Sequence, residues 1–268
     1  NLFIAEGGNI YNPAHIRLLR AQFDAFINIY PQVDSFHITL PEHARNASQF
    51  EESWKSLDNR FGLSSKYDID KIINDTSSGY LAAGGPQRSS EEARMTIIML
   101  DALHNLMDKT GILEEIQKKG KVMGISAGLS CPQILPVVAD ALWPDAHLCI
   151  TTGYTASRGV RNLHRLDGID ASSINVEQVL TLQDDNVGSL PQVAAYSIHR
   201  LMEYGVEKGW NGFYTRFWPI GDLDPVSAYL SAASWKKGTT PDSAYREYAG
   251  RLYGKNAESP MSQALRLL

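Results

Sequence analysis

Glu42 stands directly after an apolar run, residues 33–40, in the order Pro41-Glu42-His43. Two further carboxyls, Asp184 and Asp185, follow another such run, residues 176–182, and lead into Asn186. The carboxyl end of a strand is where a parallel α/β sheet or barrel presents its chemistry. Two carboxyls that face one another can divide acid and base work: the protonated one gives a proton to a leaving oxygen, and the ionised one acts as base or nucleophile. Neighbours on an extended chain point opposite ways, so one of Asp184 and Asp185 is expected to face such a site while the other caps the following turn. Glu42 is the sharper candidate, because Pro41 stiffens its turn.

The ends of the other apolar runs add polar and aromatic groups. Gly153-Tyr154 follows one run, and Arg216-Phe217-Trp218 follows another. Tyr214, Arg216 and Trp218 share a face by the period of two of an extended chain. Aromatic rings stack on the apolar faces of sugars, and an arginine can clamp a carboxylate such as that of an acidic sugar. The set points to cleavage of a glycosidic bond in a polysaccharide or oligosaccharide. Glu42 is the expected general acid and Asp184 or Asp185 its partner, with His43, Tyr154, Tyr214, Arg216 and Trp218 holding the carbohydrate. This chemistry calls for no cofactor and no metal.

Other groups carry less. His37 lies inside the first run, on the parity of Ser35 and Thr39 and opposite Phe36, Ile38 and Leu40, and reads as a satisfied structural histidine. With Glu42 and His43 it spells no metal site, and an H-E-x-x-H helix is absent. Cys131 and Cys149 sit in or beside apolar runs, where a thiol acts as a small hydrophobe, and their spacing fits no zinc pattern. Gly124-Ile125-Ser126-Ala127-Gly128 does spell G-x-S-x-G between a strand and a helix. Cys131-Pro132 delays that helix, however, and His199 falls within a helix, so a serine hydrolase acting through Ser126 is the lesser rival. A non-catalytic carbohydrate-binding protein on the same fold is the other.

Positioning these residues takes alternating strands and helices. Asn12-Pro13 opens a helix whose Ile16, Leu19, Phe23, Phe26 and Ile27 recur at helical spacing, and Tyr30-Pro31 ends it. Residues 44–88 are less regular, with short helices at 50–57 and 69–73 and a break at Gly84-Gly85-Pro86. Ser89 or Ser90 is expected to cap a helix reaching Lys109, with Glu91 and Glu92 in its first turn. A short helical piece at 113–118 and a helix at 132–142 flank a strand at 121–126, and a strand at 146–152 follows. Residues 153–175 read as a basic loop. A helix over 191–208 separates the strand at 176–182 from one at 212–217, and helices at 225–235 and 240–253 close the chain.

The pattern predicts a parallel α/β fold. Five strands are too few for a closed barrel, which needs eight. The reading is therefore a TIM-type (β/α)8 barrel that is incomplete at the N-terminus and retains its last five strands. Residues 1–224 form the partial barrel and residues 225–268 a C-terminal helical extension. An open five-stranded sheet is the structural alternative. The 268 residues start Asn-Leu-Phe-Ile without methionine, which suggests a chain trimmed or cut from something longer. Secretion or a periplasmic location is expected if that longer protein carries a signal peptide. A net charge of −5 gives no electrostatic reason to bind nucleic acid or anionic lipid, and no apolar run is long enough to span a membrane.

Residues 212–254 carry a family resemblance. They read Gly-Phe-Tyr-Thr-Arg-Phe-Trp-Pro, then Asp222-Leu-Asp-Pro225, then Ala228-Tyr-Leu-Ser-Ala-Ala-Ser-Trp235, with Thr240-Pro241 and Tyr248-Ala-Gly-Arg-Leu-Tyr-Gly254 beyond. This resembles the end of the barrel in polysaccharide-active glycosidases related to the alpha-glucuronidase and hexosaminidase-like families. In such enzymes an acidic residue after the fourth strand commonly serves as proton donor, and the resemblance implies that role for Glu42. The chain departs from the hexosaminidase pattern in lacking an Asp-Glu pair at the end of its first strand, which puts substrate-assisted chemistry in doubt. It offers Asp184 and Asp185 where a second glutamate would stand.

Overall fold

The computed structural model describes residues 12–40, 47–75, 85–128, 131–183, 193–217 and 223–267. Two compact units divide the chain. The first comprises Asn1–Thr151 and His164–Glu177, the second Thr152–Leu163 and Gln178–Leu268.

In the first unit, helix α1 spans Pro13–Ile29. The Asn12 side chain accepts from the Ala14 amide at 2.9 Å, and Pro13 has no N–H to leave unsatisfied at the first position. Leu19, Phe23 and Ile27 form its buried stripe, while Phe26 is exposed and stacks on Tyr30. Strand β1 is Ser35–Thr39. Helix α2, Phe50–Phe61, stops at Gly62 in the left-handed region (φ 67°), and α3 is Ile69–Ile73 under an Asp68 cap.

Helix α4 runs over Gly85–Thr110 and packs against α2. Its start corrects the sequence reading. Ser89 and Ser90 are buried inside the helix rather than capping it, because Pro86 fits the first turn and allows the helix to begin earlier. The Ser89 hydroxyl accepts from Gln133 Nε2 at 3.0 Å, and Glu92 is buried in an ion pair with Arg88 at 2.7 Å. Helix α5 (Ile112–Lys118) leads to β2 (Val122–Ala127). The expected helix at 132–142 divides into a 3₁₀ turn, Pro132–Ile134, and α6, Leu135–Asp140. Strands β3 (His147–Ile150) and β4 (Asn175–Thr181) follow, and the boundary between the units falls within β4.

In the second unit, α7 spans Ala156–Arg161 with Thr155 accepting from the Arg158 amide, so the expected loop at 153–175 contains a helix. Helix α8 is Ala195–Glu207, β5 is Gly212–Arg216, α9 is Asp224–Trp235 and α10 is Pro241–Tyr253. Thr240 and Ser243 cap α10 reciprocally. Tyr229 and Tyr245 are fully buried, as are Ile198, Leu201 and Val226, and the Tyr229 hydroxyl lies 2.8 Å from His199 Nδ1. A further helix, α11 (Lys255–Leu267), packs on α10 and was not expected, since Pro260 lies inside it and none of its residues is buried.

The strands are hydrogen-bonded in the order β1-β2-β3-β4-β5 of a five-stranded parallel sheet. Neighbours in the sheet are neighbours in sequence throughout. The order therefore lacks the reversal of doubly wound folds and is the winding that barrels use. Among the described residues no helix is long and apolar enough to cross a membrane.

Candidate functional site

Alternation along the strands gives the sheet of the first unit two unlike faces. Ile38, Met123, Ile125, Leu148, Ile150 and Val176 are buried on one. The other is polar. The register pairs Ser35 with Val122, His37 with Gly124 and Thr39 with Ser126, then Gly124 with His147 and Ser126 with Cys149. The Asn175 amide donates to Ala146 O at 2.8 Å. By the same parallel offset, Asn175 lies opposite His147 and Glu177 opposite Cys149. Thr39, Ser126, Cys149 and Glu177 thus form one row across four strands, and His37, Gly124, His147 and Asn175 form the row beside it.

Gly124 is what lets these rows communicate. A Cβ there would stand 2.6 Å from His147 O and 3.0 Å from His37 Cε1. The missing side chain leaves the His37 ring room to lean over β2 and reach β3, where its Nδ1 lies 3.0 Å from Cys149 Sγ. Sγ is also 3.5 Å from Glu177 Oε2. On the far side of the ring, His37 Nε2 meets the Ser35 hydroxyl at 2.8 Å. His147 Nδ1 stands 3.9 Å from the other Glu177 oxygen, and the two imidazoles meet edge to face at 5.8 Å. His37 is exposed as a residue, yet its ring is covered enough for desolvation to lower its pKa below the ordinary value. Glu177 opposes that shift and His147 reinforces it. Ligating atoms of His37, Cys149 and Glu177 all lie within 4.8 Å of one another. Both cysteines are thiols.

This cluster was not anticipated from the sequence. His37 does have a hydrogen-bond partner on each ring nitrogen, but one of them is a cysteine more than a hundred residues away, and Cys149 is buried beside polar groups rather than in a purely apolar setting. A sequence signal existed: Ser35, His37 and Thr39, then His147 and Cys149, then Asn175 and Glu177 recur at alternate positions in three of the strands.

Of the residues expected to carry hydrolysis, Glu42, His43, Asp184, Asp185 and Trp218 lie outside the described residues. Tyr154, Tyr214 and Arg216 belong to the second unit. The Arg216 guanidinium lies 5.5 Å from the centre of the Tyr154 ring, and that of Arg158 lies 6.0 Å from it. Tyr154 is buried, so it backs the two arginines rather than offering an open ring. Tyr214 is exposed. Just ahead of Asp184, Gln183 is 1% exposed, and neither end of its amide has a hydrogen-bond partner among the described residues. Such a group is uncommon in a folded chain, because burying an unpaired amide is costly. Ser126 lies within the β2 ladder, paired with Thr39 and Cys149, rather than on the sharp strand-to-helix turn of a nucleophile elbow.

A cleft of about 770 Å³ runs along α10 and α11. Arg246, Arg251 and Lys255 line it beside Asp242, Glu247 and Glu258, a mixed-charge surface unlike the mostly apolar hollows of small-molecule sites. In comparisons with protein-family models, curated proteins and solved structures, nothing matches the chain.

Proposed function

We propose that the chain is a glycoside hydrolase whose parallel sheet is part of an eight-stranded (β/α) barrel. It acts at the carboxyl ends of the strands, with Glu42 as general acid and Asp184 or Asp185 as the second carboxyl. The observation that carries the reading is Gln183. Its buried amide, without a partner among the described residues, stands next to Asp184 in sequence, and sugar hydroxyls both donate and accept the bonds it needs. The Arg216 guanidinium over Tyr154 supports the same reading, because a cation held at the end of β5 suits a carboxylate-bearing sugar. The singly wound strand order is the winding a barrel uses.

A panel of neutral and acidic oligosaccharides, assayed for new reducing ends, tests this. Wild type releases sugar, and Glu42→Gln lowers turnover at least about 100-fold while binding persists. Binding without turnover in wild type would make the chain a carbohydrate-binding protein. Labelling of Ser126 by a fluorophosphonate would make it a serine hydrolase.

A further inference from the structure

We propose that His37, Cys149 and Glu177 bind a divalent zinc ion on the polar face of the sheet, through His37 Nδ1, Cys149 Sγ and one carboxylate oxygen of Glu177. The proposal is independent of the hydrolase reading, which needs no metal.

Three side chains of the kinds that zinc prefers come together from three strands. A tetrahedral zinc bound at about 2.3 Å to sulfur and about 2.0–2.2 Å to nitrogen or oxygen sets its ligand atoms about 3.3–3.7 Å apart. Here Nδ1 and Sγ are 3.0 Å apart, Sγ and Oε2 are 3.5 Å apart, and the whole set lies within 4.8 Å. Side-chain rotations that move the tips by about 1 Å or less bring them onto one ion. Thiolate with imidazole selects a borderline-soft cation over calcium or magnesium, which take oxygen ligands.

The surroundings of the ligands add a second argument. A zinc-bound histidine characteristically hydrogen-bonds through its other ring nitrogen, which fixes tautomer and ring orientation. The Ser35 hydroxyl lies 2.8 Å from His37 Nε2 and can accept its proton in this way, and the tautomer so held would direct the Nδ1 lone pair at Cys149. Gly124 supplies the space the ring needs to reach across β2. Among the described residues the one ion-pair partner of Glu177 is His147, at 3.9 Å from the oxygen that faces away from Cys149. A thiolate beside that carboxylate would repel it, whereas a divalent cation between them satisfies both. On binding, Cys149 gives up its proton to solvent. Cys149 is buried, Glu177 half-buried and His37 exposed, so the fourth position of the ion opens toward water.

Cobalt(II) and zinc(II) titrations of chelator-treated chain test the site. Wild type is expected to take up one ion per chain. With cobalt it should develop the near-ultraviolet sulfur-to-metal band and the strong visible bands of a tetrahedral thiolate complex. Cys149→Ser loses the sulfur band, and Glu177→Gln weakens zinc at least about tenfold in competition with a chromophoric chelator. Cys131→Ser leaves band and affinity as they were. Circular dichroism verifies folding, and should Cys149→Ser unfold, the nearly isosteric Glu177→Gln decides. Absence of the sulfur band in folded wild type at excess cobalt, its persistence in Cys149→Ser, or unchanged zinc affinity in Glu177→Gln overturns the proposal.

Discussion

His104 lies on α4 and Cys131 meets Thr96 of the same helix, whereas His37 and Cys149 lie on the polar face of the sheet. The residue types are the same and the surroundings are opposite. His104 is 3% exposed between the rings of Phe61 and Trp143, and its Nε2 donates to the Ala141 carbonyl at 2.7 Å. Cys131 is 4% exposed and meets the Thr96 hydroxyl at 3.6 Å; burial pushes its thiol up to about 12. Each is satisfied by a neutral neighbour that cannot exchange charge with it. His37 and Cys149 instead find one another and a carboxylate. Burial alone silences a titratable group. Chemistry needs a neighbour whose charge can change with it.

The largest effect that separates the regions is one of stability. His104→Ala opens a cavity among aromatic rings and strands the Ala141 carbonyl, so we expect a loss of about 3 kcal/mol in urea unfolding. His37→Ala, at an exposed position, is expected to cost about 1 kcal/mol. Equal losses would erase the distinction. The pH dependence sharpens it. Desolvation lowers the His104 pKa below its ordinary 6.5, with the Ala141 hydrogen bond opposing. Between that lowered value and 6.5 the unfolded chain binds more protons than the folded one. The stabilisation is therefore complete above 6.5 and is lost as pH falls toward the folded value. From about pH 7.5 to about pH 5.5, wild type should lose more stability than His104→Gln. A parallel decline in the two proteins would mean that His104 takes up its proton while folded.

A smaller effect is expected at Gly124. Its added Cβ in Gly124→Ala would meet backbone, His147 O at 2.6 Å, which cannot rotate away. Parting β2 from β3 is expected to cost about 2 kcal/mol. It also displaces the His37 ring, so zinc affinity should fall with stability. Full stability in this variant would show that the strands give way freely, and that the glycine is not what seats the ring.

The sequence made the scaffold legible where a local cause was strong. The Asn12-Pro13 start of α1 and the five strands follow from side chains acting within a few residues, and the strands formed where apolar runs placed them. The start of α4 is not legible locally, because serines that resemble caps are buried by tertiary packing. Helix α7 leaves no periodic pattern because six residues give too few turns, and α11 leaves none because it buries nothing and contains Pro260. The His37–Cys149–Glu177 cluster was the hardest to foresee. Its members are distant in sequence, and it takes strand register to bring them into reach. Parity could have flagged part of it, since Ser35, His37 and Thr39 alternate with Phe36 and Ile38 as His147 and Cys149 do with Leu148 and Ile150, whereas Gln178 beside Glu177 breaks the pattern in β4.

The smallest change in stability is expected from Ser35→Ala, yet it probes the contrast most selectively. The hydroxyl lies at a partly exposed strand end, and among the described residues its partner is His37 Nε2. Its loss should cost about 0.5 kcal/mol or less in unfolding. For an ordinary surface histidine that would be the whole effect. If Ser35 fixes the tautomer that presents the Nδ1 lone pair to an ion, zinc affinity falls about tenfold as well, and Ser35→Thr restores it. Chelator competition on the three proteins decides. A Ser35→Ala chain that binds zinc as tightly as wild type would leave His37 anchored by Cys149 alone, and the two histidines would then differ in exposure but not in preparation for chemistry.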